Sequence, residues 1–372
     1  MILRQMEEVL ATKWPKGKAL VLLGARQTGK TTLIKTVLPE STRILQLTGD
    51  DQAAIGLLEN ASLEILKSRL GAYDYIFIDE AQRIASIGVT AKLIVDNMPH
   101  IKLILTGSSS LELADGVYES LTGRKREYHL YPISWAELSR HFGPMEAMGQ
   151  LETRLIYGMY PEVVTSPGHE TEVLQELCSS YLYRDLLNFN GIRKPRLLEK
   201  ILQALAWQIG QEVSLTEIAQ LVDADKGTVE QYIDLLEKAF IVFRLHPLSR
   251  NLRNEIKKFS KVYFWDTGIR NAVIANLSPM HQRADAGQLF ENFVIAERKK
   301  KLDYNAIRAK SWFWRTQAQQ EIDYVEEHNG TFNAVEIKWN PKTKVKFPSS
   351  FVAAYKSDTK IIHRENFDLW LG

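Results

Sequence analysis

The chain has 372 residues, of which 45% are hydrophobic and 25% are charged, and its 47 Lys and Arg against 45 Asp and Glu leave a net charge of +2. This composition excludes a disordered chain and a collagen-like repeat, because such chains are poorer in apolar residues or more lopsided in charge and composition. At roughly 100 to 200 residues per domain, the length predicts two or three domains, each able to bury a core.

The start of the chain and its single cysteine indicate a cellular compartment. Cys178 cannot form an internal disulfide, and Glu7 and Glu8 interrupt the region where a signal peptide needs an apolar run. No stretch of about 18 apolar residues is present to cross a membrane. We therefore expect a cytoplasmic protein without a membrane partner.

The near-zero net charge hides an asymmetry. Residues 241–315 contain 15 Lys or Arg against 6 Asp or Glu, a local excess of +9 that leaves −7 for the rest of the chain. A basic zone of this size is either a surface that faces DNA or a scattered, solvated surface, and the sequence alone leaves both interpretations open.

The N-terminal third contains a phosphate-loop pattern. Residues 19–23 form an apolar run that is typical of a strand buried on both faces of a parallel sheet. The run leads into a GxxxxGK[ST] match and a helix-compatible stretch: Gly24, Ala25, Arg26, Gln27, Thr28, Gly29, Lys30, Thr31 and Thr32. In such loops the glycines let backbone N–H groups close around phosphate, the lysine meets the β and γ oxygens, and the hydroxyl binds Mg²⁺. These residues therefore predict an ATP site, with Lys30 on the phosphates and Thr31 on Mg²⁺.

A second apolar run, residues 75–78, ends in two acids. Asp79 is expected to hold the magnesium shell, and Glu80 is expected to polarise the attacking water. The alternative is an acidic pair that merely ends a strand, and a preceding phosphate loop at this distance disfavours it.

Two further polar segments are candidates for the same site. The strand at 101–105 runs into the turn at 106–110, and in AAA-type P-loop ATPases a polar side chain at this point reads the γ-phosphate, which makes Thr106 and Ser108 candidates. The alternative is that this serine-rich turn only ends the strand, as turns rich in serine commonly do. Arg124 is a candidate for an arginine supplied to a neighbouring subunit in a homo-oligomer, with solvated surface charge as the alternative.

The middle of the chain is predicted to be mostly helical over 151–209 and then to form a helix-turn-helix pattern. Its parts are a capped helix over 214–221, a polar turn over 223–226, an amphipathic helix over 227–239 and wing strands at 241–245 and 261–265. This order predicts a winged helix, whose second helix would face DNA in the usual mode of binding.

The charges of the predicted winged helix do not decide between binding DNA and packing against a protein partner. The second helix carries Glu230, Asp234 and Glu237 against Lys238, which would repel phosphates. Basic residues lie instead in the predicted wing: Arg244, Arg250, Arg253, Lys257, Lys258 and Lys261. We therefore expect either packing against a protein partner or contact with the DNA backbone.

The C-terminal part is predicted to contain a helix over 284–302, a strand over 311–316 and a hairpin whose turn is Asn329-Gly330. A two-residue turn pairs His328 with Thr331, and so places Asp323 across from Glu336.

Carboxylates facing each other across a hairpin repel one another unless a cation lies between them. The spacing therefore predicts a divalent metal on Asp323 and Glu336, with Lys338 beside it and Glu291 of the preceding helix as a further ligand. The alternative is a solvated charged face.

Taken in order, these motifs resemble those of prokaryotic AAA-type ATPases whose C-terminal half is a domain of unknown function ending in a PD-(D/E)XK-like core. The matching segments are GARQTGKTT, YIFIDEAQ, ILTGSSS, SLTGR, YPISWAEL, YGMYPEVV, YLYRDLL, KVYFWDTGI, EIDYV and VEIKW. The resemblance implies ATP and Mg²⁺ as ligands and a nuclease-type site at Asp323, Glu336 and Lys338. Ile322-Asp323 stands where the signature has Pro-Asp, which leaves the metal ligand intact.

The expected fold class is α/β with three domains. They are an AAA-type P-loop domain with a parallel sheet (1–140), a helical and winged-helix domain (141–265) and a restriction-endonuclease-like α/β domain (266–372). The expected function is Mg²⁺-dependent ATP hydrolysis that couples the nucleotide state to a DNA-facing C-terminal half. Two alternatives stay open: an ATP-gated, metal-dependent DNA nuclease, and an ATP-switched protein-binding module with an inactive nuclease-like fold.

Overall fold

The computed structural model describes residues 1–12, 14, 16–39, 42–108, 120–179, 194–248 and 259–371. The chain divides into two compact units, which we describe separately. The first is mainly Leu3–Tyr131 with Lys238–Phe240, and the second is mainly Pro132–Glu237 with Ile241–Gly372. Within the described ranges, no helix combines the length and the hydropathy that a membrane crossing requires.

The first unit is built on a five-stranded parallel sheet. Its strands are β1 (Ala19–Leu23), β2 (Ile44–Thr48), β3 (Tyr75–Asp79), β4 (Lys102–Gly107) and β5 (Lys125–His129), and its helices are α1 (Gln5–Thr12), α2 (Lys30–Val37), α3 (Gln52–Leu58), α4 (Leu63–Leu70) and α5 (Ile87–Asn97). The strand order is β2-β3-β4-β1-β5. Because all pairs are parallel, the carboxyl ends of the strands meet at one edge of the sheet.

The hydrophobic sequence of the central strands places them in the middle of this unit. All five residues of β1 are buried, and alternate residues of β1, β3 and β4 pack against helices α4 and α5 in one core cluster. The outer strand β2 is only partly buried. The strand β4 lies between β3 and β1, the two strands that lead into the acidic pair and the phosphate loop.

The second unit begins with short helices and continues into the predicted helix-turn-helix region. The helices are α6 (Trp135–Phe142), α7 (Pro144–Gly149), α8 (Leu151–Tyr157), α9 (Pro161–Thr165), α10 (Glu170–Glu176), α11 (Pro195–Trp207), α12 (Leu215–Val222), α13 (Lys226–Lys238) and α14 (Thr267–Val273). Strands β6 (Glu212–Val213), β7 (Val242–Leu245) and β8 (Ser260–Phe264) form a sheet with the order β6-β8-β7.

The helix, turn, helix and two antiparallel strands therefore lie where the sequence predicts them. Ser214 caps α12 by accepting a hydrogen bond from the Glu217 backbone N–H, as its spacing predicts. Several sequence features lie outside the described residues: Ser109, Ser110, the YLYRDLL segment and the wing cations Arg250, Arg253, Lys257 and Lys258.

The rest of the second unit is a mixed sheet beside a long helix. Its elements are α15 (Ala286–Tyr304), β9 (Lys310–Arg315), β10 (Glu321–His328), β11 (Thr331–Lys338), α16 (Ser349–Tyr355), β12 (Asp358–His363) and α17 (Phe367–Leu371). The strand order is β12-β11-β10-β9, and only the β11–β12 pair is parallel.

The predicted hairpin is confirmed in position and register. His328 pairs with Thr331, and the pairing continues to Tyr324 and Val335. Asn329 and Gly330 have φ values of 53° and 81°, the left-handed conformation that a two-residue turn of this type requires.

Further along β10, successive side chains no longer alternate regularly between the two faces of the sheet. The pairing of β10 with β9 shifts register between Ile322 and Val325. Ile322 packs in a cluster with Val325, Ala334 and Phe351. Ile322 therefore does not share the face of Tyr324, as regular alternation of side chains along a strand would require, because a bulge changes the side to which a residue points.

A backbone connection joins the wing region to this sheet. The Leu248 N–H donates to the Phe313 carbonyl oxygen at 2.7 Å, and the Phe313 N–H donates to the His246 carbonyl oxygen at 3.1 Å. Phe313 belongs to β9, and residues 246–248 directly follow β7. The predicted middle and C-terminal parts thus share one hydrogen-bonded ladder.

Candidate functional site

The loop at residues 24–29 connects β1 to α2 at the carboxyl edge of the first sheet. Gly29 precedes the helix with φ 93°, which favours glycine. A Cβ atom added to Gly24 would lie 2.1 Å from the Leu130 carbonyl oxygen, so only glycine fits there. Thr28 Oγ1 donates to the Ala25 carbonyl oxygen at 2.8 Å and closes the loop internally. The local backbone structure thus requires glycine at both positions of the motif. The loop that these glycines form lies in front of a helix N-terminus.

Lys30 lies inside this loop. Its side chain is buried, and Nζ donates to the carbonyl oxygens of Gly24 and Ala25, at 2.8 Å in both cases. Burial lowers the pKa of Lys30 to about 8, although the charges of Glu80 and Asp79 act in the opposite direction. An ammonium group that is desolvated and held by two carbonyl oxygens is ready to exchange them for phosphate oxygens.

Asp79, at the end of β3, faces two hydroxyl groups. Thr31 Oγ1 donates to Asp79 Oδ2 at 2.6 Å, and Thr106 Oγ1 donates to Asp79 Oδ1. A carboxylate and a hydroxyl beside a phosphate loop are the oxygen donors that a nucleotide-bound Mg²⁺ uses, so these residues fit that ion. Thr106 is fully buried and its hydroxyl orients Asp79, while its contact with a γ-phosphate stays a prediction.

Glu80 follows Asp79 in the left-handed conformation, with φ 48°. Its Oε2 accepts a hydrogen bond from Gln82 Nε2 at 2.5 Å, and the same amide donates to Ser108 Oγ at 3.2 Å. Gln82 therefore joins the candidate base Glu80 to the candidate sensor Ser108. Sequence reasoning missed this residue: it stands in the YIFIDEAQ motif, but its partners depend on the turn at Glu80.

Arg4 is a second contact that the sequence did not indicate. Its guanidinium donates to the carbonyl oxygens of Thr28 and Tyr131, at 2.6 Å in both cases. These bonds tie the phosphate loop to the chain that leaves β5. No sequence pattern marks Arg4, because the two acceptors are backbone atoms far away along the chain.

Arg124 does not join these residues. It directly precedes β5, and its carbonyl oxygen accepts from the Ala19 N–H at 2.8 Å, which places it at the amino edge of the sheet. Its Nε lies 2.6 Å from Asp96 Oδ1 in a partly exposed ion pair. The phosphate loop is at the opposite edge, so Arg124 cannot act on a nucleotide bound by its own unit.

The second unit brings Asp323, Glu336 and Lys338 together. Lys338 Nζ lies 2.8 Å from Asp323 Oδ2 and 2.7 Å from Glu336 Oε2, while the Ile337 N–H donates to Asp323 Oδ2 at 2.8 Å. Burial, and after it the charge of Asp323, raises the pKa of Glu336 to about 7. The cation between the two carboxylates is thus Lys338 itself, which offsets the repulsion from which a metal was predicted.

Glu291, on α15, is held from the strand β8. Tyr263 Oη donates to Glu291 Oε1 at 2.6 Å, and Lys261 Nζ lies 3.4 Å from the same oxygen and 2.6 Å from Glu321 Oε1. Burial raises the pKa of Glu291 to about 7. Lys261 is only 1% exposed, so for this residue the structure rules out contact with the DNA backbone, one of the two roles left open for the wing cations.

The carboxylate centre fits a divalent cation only in part. Asp323 and Glu336 offer suitable oxygen ligands, but Lys338 would have to move from between them. Across the described ranges, no three carboxylate, imidazole or thiolate side chains are arranged to hold a metal ion.

Many of the basic residues of 241–315 that the structure describes are held by acids. Seven of these cations form ion pairs with acids: Arg244, Lys261, Arg270, Arg283, Arg298, Lys300 and Arg315. Arg244, for example, lies 2.7 Å from Asp234 and 3.0 Å from Glu237 of α13, the acids that were expected to repel DNA. Charge counted along the sequence therefore overstates the cationic surface of this zone.

Three protein families match consecutive parts of the chain. Residues 16–139 match the AAA domain, residues 148–280 match a domain of unknown function (DUF8612), and residues 286–370 match another domain of unknown function (DUF4143).

Individual relatives are distant. An uncharacterised protein of Mycobacterium tuberculosis is 28% identical over 329 residues, which cover 87% of this chain and 70% of that protein. An uncharacterised protein of Haemophilus influenzae is 26% identical over 262 residues, with 64% of each chain covered. The solved Walker-type ATPase of Pyrococcus abyssi is 18% identical with a TM-score of 0.49, covering 74% of this chain and 96% of that one. Together with the parallel sheet and its phosphate loop, the family matches show an AAA-type P-loop domain at residues 16–139, followed by matches to two domains of unknown function at residues 148–280 and 286–370.

Proposed function

We propose that the first unit binds ATP with Mg²⁺ and hydrolyses it, and that the nucleotide state is coupled to a second unit that contacts DNA. The observation that carries this proposal is the grouping of Lys30, Thr31 and Asp79 at the carboxyl edge of the parallel sheet. A lysine, a hydroxyl and a carboxylate beside a phosphate loop are the groups that P-loop proteins use to hold a triphosphate and its Mg²⁺, which supports the proposal.

In the proposed reaction, a water molecule attacks the γ-phosphorus and ADP leaves with the electrons of the broken P–O bond. Glu80 accepts the proton of the water, and Lys30 stabilises negative charge on the β and γ oxygens. Mg²⁺ held by Thr31 and Asp79 would neutralise further phosphate charge. Gln82 and Thr106 position Glu80 and Asp79 through the hydrogen bonds described above.

The test of nucleotide binding is Lys30→Ala, with Lys35→Ala as the matched control. Lys35 is an exposed lysine on the same helix and has no part in the loop. We expect the Lys30 variant to lose at least about tenfold in ATP affinity, because a charge-assisted contact to phosphate is removed, and the Lys35 variant to bind normally. Unchanged affinity of the Lys30 variant would refute the site.

Coupling to DNA is tested by measuring ATP turnover of the full chain with and without single- and double-stranded DNA. The proposal predicts that one of these nucleic acids changes the turnover number, and that the change disappears with Lys30→Ala. Identical ATP turnover with and without DNA would show that DNA does not affect ATP hydrolysis, and would refute the proposed coupling.

A metal-dependent nuclease gated by the ATPase is the second candidate function. It is favoured by the grouping of Asp323, Glu336 and Lys338, with Glu291 held nearby on α15. It predicts Mg²⁺- or Mn²⁺-dependent cleavage that is lost in Asp323→Asn and kept in Asp358→Asn, an exposed control on β12. Absence of cleavage under all nucleotide conditions would favour a binding module with an inactive centre.

A further inference from the structure

A segment with unpaired lysines directly follows the strand that carries Glu336 and Lys338. Lys342, Lys344 and Lys346 lie in the irregular chain between β11 and α16, and all three are exposed. Across the part of the chain that the structure describes, none of the three has an ion-pair partner. They differ in this respect from the paired cations of residues 241–315.

The charge of this region is strongly one-sided. Residues 338–364 contain seven Lys or Arg, and Asp358 is the single acid among them. Lys338 is held by Asp323 and Glu336, and the Arg364 guanidinium lies 5.1 Å from the centre of the Trp339 ring. The parallel pairing of β11 with β12 sets Lys338 beside His363, so Arg364 joins the same end of the sheet.

We propose that the lysines at 342, 344 and 346, with Arg364, form a surface that binds the phosphate backbone of a nucleic acid next to the carboxylate centre. This surface deepens the proposed contact with DNA and moves it away from residues 241–315. It does not depend on ATP hydrolysis, because it belongs to the second unit alone.

The apolar residues of the segment help to identify the partner. Val345 and Phe347 alternate with the lysines but are partly buried, and Phe347 packs on the cluster of Ile322 and Val325. The segment therefore presents positive charge to a binding partner but no exposed apolar side chain. A surface of this kind is unsuited to insertion into a membrane. Flexible ammonium groups without apolar contacts are suited to a repeating row of phosphates, which they bind without reading the bases.

The test is binding of the full chain to a labelled duplex and to a single strand of the same sequence, in EDTA and over a series of salt concentrations. The variant is K342Q/K344Q/K346Q. The matched control is K35Q/K67Q/K92Q, which removes three exposed lysines from helices α2, α4 and α5 of the first unit.

We expect the variant to bind at least one probe about tenfold more weakly, and the slope of log affinity against log salt to fall by about two to three, since each phosphate contact contributes nearly one. The control should keep the affinity and slope of the wild type. ATP turnover without nucleic acid should be equal in all three proteins, so that a failure of this surface is distinguished from a failure of the ATP site.

Three results would overturn the proposal. One is a variant that binds both probes with the affinity and salt slope of the wild type. Another is a wild-type chain that binds neither probe. The third is a wild-type chain that prefers a polyglutamate peptide or anionic phospholipid vesicles to nucleic acid and loses that preference in the variant, which would assign the lysines to an acidic protein or a membrane surface.

Discussion

Gln82 lies between the two groups that would act on the γ-phosphate and its attacking water. Its amide donates to Glu80 Oε2 at 2.5 Å and to Ser108 Oγ at 3.2 Å. A γ-phosphate that takes the Ser108 hydroxyl would therefore change the contacts of the same amide that holds Glu80. We infer that Gln82 positions the base without itself touching the reacting atoms.

Gln82→Ala is expected to lower ATP turnover about tenfold with little change in KM, because a mispositioned general base loses part of its contribution of about 10² to 10⁴ in rate. Steady-state kinetics measure both quantities. Gln52→Ala, on the exposed start of α3, serves as the control. A rise in KM at unchanged turnover would show that Gln82 binds nucleotide and does not position Glu80.

Residues of the phosphate loop could be predicted from the sequence because the motif is local: one short segment supplies the glycines, Lys30 and Thr31. Asp79 could be predicted because the carboxyl ends of parallel strands meet at one edge. Arg4 and Gln82 could not, since their partners are backbone atoms distant in sequence or side chains placed by the φ of 48° at Glu80.

At the scale of the elements, Gly158 joins α8 to the segment that packs on α14. Its φ is 82°, and an added Cβ atom would lie 2.1 Å from Asp266 Oδ1. Asp266 cannot move easily, because it accepts hydrogen bonds from the backbone N–H groups of Met159 at 2.6 Å and Ile269 at 3.1 Å. The glycine therefore permits a close contact between a helix end and a buried capping carboxylate.

Gly158→Ala is expected to destabilise the second unit by on the order of 3 kcal/mol or more, from the left-handed backbone and the clash together. Gly168→Ala is the matched control: its φ is 87°, but nothing lies within 4 Å of the added Cβ, so only about 1 kcal/mol is expected. Urea unfolding of the two variants measures the difference. Equal costs would mean that the clash with Asp266 is relieved by movement.

The hairpin of β10 and β11 shows what sequence reasoning can and cannot give for an element. Asn329-Gly330 fixes the turn, and the turn fixes the register as far as Tyr324 and Val335. The shift between Ile322 and Val325 has no local signal, because it depends on the pairing with β9. Asp323 and Glu336 still converge, and Lys338 Nζ contacts both of their carboxylates.

At the scale of the whole molecule, the charge distribution must be interpreted together with the ion pairs that the cations form. The excess of +9 in residues 241–315 is real, yet cations such as Arg270 and Arg298 are held by Asp285 and Glu326. A sequence counts charges but does not show which of them are paired. Among the residues that the structure describes, Lys342, Lys344 and Lys346 after β11 are exposed and have no ion-pair partner, and they lie in a region that the sequence count did not single out.

The single cysteine provides a test of how well the second unit is packed. Burial raises the pKa of the Cys178 thiol to about 12. At pH 8 the thiolate fraction is therefore expected to be on the order of 10⁻⁴, and the thiol should react with a disulfide reagent far more slowly than in urea, where its pKa returns to about 8.5. One thiol per chain should be titrated after unfolding. Rapid reaction of the native protein would show that this part of the unit opens readily.

The central claim is that the first unit hydrolyses ATP with Glu80 as the base, and the most direct measurement compares ATP binding and ATP turnover in Glu80→Gln. The exposed Glu64→Gln on α4 is the control. The account predicts that Glu80→Gln binds ATP within about threefold of the wild-type Kd but turns it over at least about 100-fold more slowly, because the amide cannot accept the proton. Wild-type turnover in Glu80→Gln, or wild-type protein that binds ATP without hydrolysing it, would contradict the account.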